Sequence, residues 1–397
     1  MEILQTNLKH ILDKRYKRKD DTMNKIKINL LSHGRFHMVD LTRELKKQGF
    51  DVKLYSFVPP KMCKKYGLCN EDFYSLFYIL APLVYISRHF KSFDKIRNII
   101  QDVIMAIIMR KCNILISLTG FIFAPKKAKR NGATIIFERG SKHILEQEKI
   151  LKHIHNRKEI EVIPSFNIKR NLEAYNIADY ISIASQHVKE SFIKNNFNPN
   201  KLFINPYGVD LSMFKPTLKK NKPYDVIMVG GWSYRKGCDL IIEAMKQMKL
   251  KFLHVGSIVD IPFPTNIPHF THIDAVDQSK LINYYHQAKI FLFPSREDGF
   301  GMVLSQAMAC NLPIVGSPNS GAPDLKEMIA IQDCITIIQD YTIDSIINAV
   351  NQALQQYDKL YEVYAGEAVN NLTWEAYGNR YANFINKIIS DKTQHLL

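Results

Sequence analysis

The 397-residue sequence lacks the features that mark several common classes of protein. Its six cysteines are scattered, and no two of them form a C-x-x-C pair, so neither a structural zinc site nor a disulfide framework is predicted. No Asp-x-Asp motif stands at a strand end and the histidines are dispersed, so we predict no metal site and no cofactor. These absences favour a protein of the reducing cytosol.

Long apolar runs are also missing. The most apolar stretch, residues 73–86, contains Pro82 and is shorter than the about 20 residues that a transmembrane helix needs. Its aromatic residues and basic flank are typical of a segment at a membrane interface, and a buried core segment is the alternative. A second apolar run, residues 99–109, predicts a core helix. Residues 1–22 form either a basic amphipathic helix or an unstructured lead-in, and we expect no cleavable signal.

Charge is divided unevenly along the chain. The formal net charge is +16, and residues 1–200 contain 36 basic and 19 acidic residues, so the remainder is close to neutral. A basic first half favours an anionic glycan or lipid-linked partner, or an anionic membrane surface. A basic background composition without any partner is the alternative. We predict no nucleic-acid partner, because the chain shows none of the basic-aromatic motifs of such proteins.

The most informative stretch is residues 291–325. Residues 291–293 predict a strand buried on both faces, which ends at Pro294. The Gly299-Phe300-Gly301 turn lets backbone amides approach a ligand, and the helix predicted over residues 302–309 directs its N-terminus at the same place. This combination predicts a site for an anion such as phosphate.

A second strand, loop and helix are predicted over residues 224–248. The strand covers residues 226–229, and Gly230-Gly231 end it. Arg235 and Lys236 stand in the loop that follows, and both side chains suit phosphate oxygens.

The first half predicts βαβ units of a parallel sheet. A strand over residues 26–31 is followed by a glycine turn at Gly34, a helix over residues 38–48 and a further strand. Two later strands, at 112–120 and 133–140, also end in glycine turns. Ligands gather at the carboxyl ends of such strands.

These motifs resemble those of the retaining glycosyltransferases of family four, also called group 1. The family sequence P-S-x-x-E-G-F-G-x-x-x-x-E-A-M-A reads P-S-R-E-D-G-F-G-M-V-L-S-Q-A-M-A here, so Asp298 and Gln306 replace its two glutamates. In the family motif V-G-R-x-x-x-x-K-G, Lys236 keeps its place, whereas Gly231 stands where the arginine is expected. Arg235 is our candidate for supplying the missing guanidinium.

The resemblance covers nearly the whole chain from Lys25 and implies an α/β GT-B fold. That fold has two Rossmann-like domains facing each other across a cleft, with the active site between them. We predict a lead-in at 1–22, an acceptor-binding domain at 23–205, a nucleotide-sugar-binding domain at 206–375 and a C-terminal helix at 376–397.

The resemblance also implies the activity and the site. We expect transfer of a sugar from a nucleotide diphosphate sugar to a hydroxyl acceptor, with retention and without a metal, in cell-surface glycan or glycolipid synthesis. The protein is expected in the cytoplasm, with peripheral association at the inner face of the membrane. The alternatives are a noncatalytic GT-B protein that binds nucleotide or glycan for a partner, and a sugar-nucleotide epimerase. The donor-binding residues implied are Gly34, Arg235, Lys236, Gly299, Phe300, Gly301 and Gln306.

Catalytic residues are expected at Asp298 and after the strand over residues 133–140. Many family members have a histidine after that strand. Here Glu138, Arg139 and His143 each suit a place in the cleft, and a structural ion pair or helix cap is the alternative for each.

Overall fold

The computed structural model of the chain describes residues 25–79, 81, 93–154, 162–217, 221–329, 331–360 and 371–394. The lead-in predicted at 1–22 lies outside the described residues, as does most of the apolar stretch after Ile79. The chain divides into two compact units, residues 1–136 and 137–397. The domain limits predicted from the sequence, with a boundary near residue 205, stay a prediction.

The first unit alternates strands and helices, as the βαβ pattern predicts. Its strands are β1 (Lys27–Ser32), β2 (Asp51–Ser56), β3 (Phe73–Ser75) and β4 (Ile114–Leu118). Its helices are α1 (Met38–Lys47), α2 (Pro60–Lys65), α3 (Phe93–Ile108) and α4 (Phe123–Arg130), and Asn70–Asp72 form a 3-10 turn. Strand β5 (Thr134–Arg139) contains the point where the two units divide.

The second unit continues the alternation. Its remaining strands are β6 (Tyr180–Ile183), β7 (Leu202–Ile204), β8 (Tyr224–Val229), β9 (Phe252–Val255), β10 (Phe270–Ile273), β11 (Ala288–Phe293), β12 (Ile314–Gly316) and β13 (Ile335–Ile337). Its helices are α5 (Ile144–Ile154), α6 (Ser165–Ile177), α7 (Gln186–Lys194), α8 (Cys238–Met248), α9 (Leu281–Tyr285), α10 (Met302–Ala309), α11 (Ala322–Met328), α12 (Ile343–Leu360) and α13 (Trp374–Gln394). Among its described residues, 3-10 turns lie at Pro199–Lys201, Tyr234–Lys236, Gln278–Lys280 and Gln332–Cys334.

The strands form two sheets, in the orders β3-β2-β1-β4-β5-β6-β7 and β10-β9-β8-β11-β12-β13. Neighbouring strands run parallel, for example β1 beside β2 and β4, and β8 beside β9 and β11. Parallel order places the carboxyl ends of β8 and β11 at the same edge of the second sheet.

Strand β11 is buried on both faces, as its continuous apolar sequence predicts. Phe291 and Phe293 pack in one cluster with α10 and α11, whereas Ile290 and Leu292 pack in another with α8 and α12. Successive side chains of a strand point to opposite faces, so helices cover both sides of the sheet.

Two predictions for the first unit need correction in detail. Helix α1 ends at Lys47 rather than at residue 48, and Gly49 follows with a φ of +90°, which glycine adopts without strain. The run at 99–109 is helical over most of its length, but it is not a fully buried core helix. Met105 is buried, whereas Ile107 is 70% exposed and Ile99 is 38% exposed. Among the described helices, none combines the length and apolar character needed to cross a bilayer.

Candidate active site

The loops that follow β8 and β11 are joined at the edge of the second sheet. Ile290 of β11 lies opposite Val226 of β8, so both loops leave the sheet side by side. The Arg296 amide donates to the carbonyl of Arg235 at 2.9 Å, and its guanidinium donates to both carboxylate oxygens of Asp239 at 2.6 and 2.7 Å. These bonds fix one loop against the other.

Glycine is required at two points where backbone segments touch. A Cβ at Gly237 would overlap the carbonyl oxygen of Pro294, and φ there is +74°. A Cβ at Gly299 would overlap the backbone of Gly140, which follows β5. The motif loop therefore rests directly on the chain that leaves β5.

Lys236 lies in the 3-10 turn of the β8 loop. Its Nζ forms an ion pair with Asp298 Oδ2 and lies 4.6 Å from the centre of the Phe293 ring. Burial lowers the pKa of the Lys236 ammonium, and Asp298 offsets part of that effect. Burial alone favours neutral Asp298, but the neighbouring Lys236 outweighs it and holds the pKa of that carboxyl below its ordinary value. The carboxyl group of Asp298 is therefore ionised near neutral pH.

Arg235 contacts a carboxylate that the sequence motifs did not single out. Its Nη1 donates to the Glu297 carbonyl at 3.0 Å and to Glu297 Oε2 at 3.3 Å. The Glu297 side chain is 0% exposed, and the Arg235 side chain is 37% exposed. Gln147 Nε2 donates to the same Oε2 at 3.2 Å.

The Gly299-Phe300-Gly301 turn leads into helix α10 as predicted. Gly301 is the N-cap, and no side chain caps the first turn of the helix. The Phe300 amide donates to Asp298 Oδ1 at 3.2 Å, and the Asp298 amide donates to the Asn319 carbonyl at 3.0 Å. An uncapped helix start is a place where backbone N–H groups and the helix dipole favour an anion.

Gln306 is buried in α10, and its oxygen is already bonded. The Tyr285 hydroxyl donates to Gln306 Oε1 at 3.1 Å. The amide N–H₂ group is therefore the end of this side chain that remains for a ligand.

The structure places Glu138 and Arg139 at the end of β5 and His143 after it, in different surroundings. Glu138 is buried and accepts a bond from the Tyr381 hydroxyl at 2.7 Å. Every nitrogen of the Arg139 guanidinium donates within the second unit, to the Lys142 carbonyl, Asn171 and Gln147. Arg139 is thus committed to holding this loop, and a role in binding phosphate or acceptor stays a prediction.

His143 lies in an aromatic cluster. Its ring centre is 4.9 Å from that of Tyr175 and 5.0 Å from that of Phe192. Burial, followed by the charge of Arg139, lowers the pKa of His143 to about 4, so the ring is neutral. Its catalytic role stays a prediction.

Gly34 belongs to the first unit and follows β1. Its carbonyl accepts a hydrogen bond from Ser32 Oγ, and the ring of Phe36 lies 3.4 Å from the position that a Gly34 Cβ would take. The role of Gly34 in donor binding also stays a prediction.

Three residues beside the motif loops were missed by the sequence analysis. Lys142 Nζ donates to Asn319 Oδ1 at 2.9 Å, and burial lowers the pKa of this amine. His187 Nε2 lies 2.8 Å from the Asp298 carbonyl, and burial together with Lys142 lowers its pKa to about 4. Glu297 is the third. In the sequence, the position of Glu297 next to Asp298 in the motif is the only feature that points to this residue.

Open space adjoins these loops. A cavity of about 750 Å³ is lined by one face of α5 and by Arg296, Asn319 and Tyr341. Its size is within the range of sites that hold small ligands. Among the described residues, no group of three His, Cys, Asp or Glu side chains is arranged to hold a metal ion.

Buried neutral histidines make stability depend on pH. His143, His187 and His254 each have a pKa lowered to about 4, in each case mainly by burial. The unfolded chain binds a proton at each near pH 6.5, so between about pH 6.5 and 4 unfolding takes up protons, and stability falls as pH falls. We expect His143→Phe to weaken this dependence by up to about 1.4 kcal/mol per pH unit. Denaturant unfolding at pH 7.5 and 5.5 measures the free energy of unfolding of the variant and of the unmodified chain. If both lose the same stability between these two pH values, His143 does not contribute to the pH dependence.

The part of the chain that contains the two motif loops is similar to known proteins. Residues 210–368 match the family model described as "Glycosyl transferases group 1". The chain is 22% identical over 243 residues to the GDP-mannose-dependent alpha-(1-6)-phosphatidylinositol monomannoside mannosyltransferase of Mycolicibacterium smegmatis, covering 53% of this chain and 63% of that protein. It is 25% identical over 183 residues to the O-antigen biosynthesis glycosyltransferase WclY of Escherichia coli, covering 43% and 50%. The chain thus spans less than two thirds of the length of these two relatives.

The fold extends further than the sequence similarity. The structure of Anabaena HepE in complex with UDP-glucose matches with a TM-score of 0.60 at 13% identity, over 91% of this chain and 100% of that one. The two α/β sheets have the GT-B fold, which confirms the predicted fold class. Within it, residues 210–368 match the group 1 glycosyltransferase family that the motifs resemble.

Proposed function

We propose that the protein is a retaining glycosyltransferase that moves a sugar from a nucleoside diphosphate sugar to a hydroxyl acceptor without a metal. One observation carries this proposal: Arg235 and Lys236 meet the Glu297-Asp298 loop beside the uncapped start of α10. Two cations and a helix N-terminus at one point suit a diphosphate. HepE, whose structure contains UDP-glucose, supports the choice of donor class.

The chemistry assigned to this site is mainly electrostatic. When the bond between sugar and diphosphate breaks, negative charge grows on the leaving oxygen. Lys236, Arg235 and the first amides of α10 stabilise that charge, and no metal is needed for this task. Asp298 stays ionised near neutral pH and favours positive charge at the anomeric carbon. The Gln306 amide binds the ribose of the donor.

The acceptor is proposed to be anionic, a charged glycan or a lipid-linked phosphate. The basic balance of residues 1–200 supports this. The names of the two relatives, one a phosphatidylinositol monomannoside mannosyltransferase and one a glycosyltransferase of O-antigen biosynthesis, support a role in glycolipid or cell-surface glycan synthesis. We propose that this synthesis takes place in the cytoplasm, with peripheral association at the inner face of the membrane.

A noncatalytic binding protein is the second candidate, and three motif positions favour it. Asp298 and Gln306 replace two glutamates, and Gly231 replaces an arginine. A sugar-nucleotide epimerase is the third. Incubation with a panel of nucleotide sugars separates the three, because a transferase slowly hydrolyses its donor, a binding protein only gains thermal stability, and an epimerase converts the sugar. If no nucleotide sugar is hydrolysed or converted and the melting temperature does not change, all three candidate functions are contradicted.

The ribose contact gives a prediction. Gln306→Glu is expected to keep or raise donor affinity, because a carboxylate still accepts from Tyr285. Gln306→Leu removes the nearer of the two acceptors of the tyrosine hydroxyl and leaves the ribose unbonded, at a cost of about 1–3 kcal/mol in nucleoside diphosphate affinity. Ser305→Ala on the same helix is the control, since Ser305 Oγ has no partner among the described residues. Calorimetry measures the nucleoside diphosphate affinity of all three variants. Tight binding by Gln306→Leu would show that Gln306 is not part of the site.

Membrane association gives another prediction. Phe77 is 36% exposed and Tyr78 is 70% exposed in the first unit. We expect binding to anionic vesicles, at about 1 kcal/mol per basic residue near the surface, with partial reversal by salt. Changing Phe77 and Tyr78 together to serine should weaken it, whereas Val259→Ser, at a 62% exposed residue of the second unit, should not. Sedimentation with vesicles measures it, and equal binding to neutral vesicles would contradict an electrostatic contribution.

A further inference from the structure

Both cations of the proposed diphosphate site already have carboxylate partners on consecutive residues. Arg235 Nη1 donates to the carbonyl and to Oε2 of Glu297, and Lys236 Nζ is paired with Asp298 Oδ2. Four charged residues from two loops thus form two ion pairs at the place assigned to the diphosphate. A cation whose N–H groups point at a carboxylate does not at the same time point them at phosphate.

Glu297 is the unusual member of this group. Its side chain is fully buried, and Oε1 has no hydrogen-bond partner among the described residues. A buried carboxylate is costly unless nearby positive charge compensates it. Arg235 contacts it, and the ammonium groups of Lys142 and Lys236 interact with it electrostatically. Compensation therefore does not depend on Arg235 alone.

Each carboxylate also has a second partner that remains when its cation leaves. Glu297 Oε2 accepts from Gln147 Nε2, and Gln147 is held by Arg139 at 2.7 Å. Asp298 Oδ1 accepts from the Phe300 amide. The cations can therefore move from carboxylate to ligand while both acids stay in place.

We propose that Glu297 is a positioning residue, and that Glu297 and Asp298 act as internal counter-ions that hold Arg235 and Lys236 until the diphosphate of the donor displaces them. This inference rests on the proposed function. Removing an acidic residue of a binding motif is usually expected to weaken binding, whereas here the opposite is expected. Neutralising either acid removes a competitor of the diphosphate and a like charge beside it, so affinity for the nucleoside diphosphate rises. Transfer falls in the Asp298 variant, because that carboxylate also faces the sugar.

The test is calorimetric titration of the full chain with UDP, GDP and ADP. Glu297→Gln and Asp298→Asn are nearly isosteric and remove one charge each. We expect each to bind the preferred diphosphate about fivefold more tightly than the unmodified chain. Glu243→Gln is the matched control, because it also removes one charge, and Glu243 pairs with Lys246 within α8 rather than with Arg235 or Lys236. Its affinity should stay within about twofold.

A gain of affinity is a readout that structural damage does not produce. The gain from Glu297→Gln should shrink towards zero in an Arg235→Gln background, because the competition acts through Arg235. Unchanged or weaker binding by folded Glu297→Gln and Asp298→Asn proteins, or a gain that persists without Arg235, would overturn the inference. If no diphosphate binds any of the proteins, including the unmodified chain, the proposed function fails, and the inference fails with it.

Discussion

Replacing Lys236 by alanine is expected to abolish most nucleoside diphosphate binding and to destabilise the fold. The charged hydrogen bond to phosphate contributes about 1.5–3 kcal/mol, roughly 10- to 150-fold in Kd. Asp298, left without its partner, then adds repulsion to that loss. Because the ion pair is buried, removing one partner also lowers the free energy of unfolding by about 3–5 kcal/mol. Titration calorimetry and denaturant unfolding measure the two effects separately.

The double variant Lys236→Ala with Asp298→Asn separates folding from binding. It should recover most of the lost stability, because no buried charge is left unpaired, and it should still bind the diphosphate poorly. Full recovery of binding in this double variant would show that Lys236 acts only by neutralising Asp298. Unchanged binding by the single variant would remove Lys236 from the site altogether.

Gly299→Ala is expected to have the second large effect. A Cβ at this position would overlap the carbonyl of Gly140, and backbone atoms move less easily than the end of a side chain. Ser185 Oγ also donates to the Gly299 carbonyl at 2.6 Å, and this bond helps to hold the motif loop in place. We expect the free energy of unfolding to fall by about 1–3 kcal/mol, the usual cost of overpacking. We also expect most of the diphosphate affinity to be lost.

Gly140→Ala is the control for that variant. An added Cβ there would lie 3.2 Å from the Tyr207 hydroxyl, a much smaller overlap than the one at Gly299, and it would meet a side chain rather than backbone. A small effect at Gly140 with a large one at Gly299 indicates that the position of the motif loop matters. Equal tolerance of both changes, seen in thermal unfolding and calorimetry, would contradict the close backbone contact.

Local sequence pattern predicted the elements of this fold well. The helix predicted over residues 302–309 has those limits in the structure. The strand predicted over residues 226–229 ends where predicted and begins slightly earlier, at Tyr224. These elements follow from continuous apolar runs bounded by glycine and proline, which are local signals. The helix over most of residues 99–109 was also found, but its exposed face was not, because burial depends on distant neighbours.

The partners of the site residues were harder to predict for the same reason. Arg235 and Glu297 are 62 positions apart, and Gln147 and Glu297 are 150 apart. Nothing in the spacing of the sequence fixes such contacts. The motif comparison drew attention to Asp298 and passed over Glu297, because the residue before the motif acid has no assigned role there. Only the folded chain shows that this neighbour is the buried partner of Arg235.

One experiment directly tests whether the loops after β8 and β11 form a diphosphate site. It is calorimetric titration of the purified chain, in the presence of a metal chelator, with uridine, UMP and UDP and with the corresponding guanosine and adenosine series. We expect one diphosphate to bind, its monophosphate to bind more weakly and the nucleoside alone to bind weakest, since each phosphate adds contacts to Lys236, Arg235 and the start of α10. Equal affinity across nucleoside, monophosphate and diphosphate, or no binding by any of them, would contradict it.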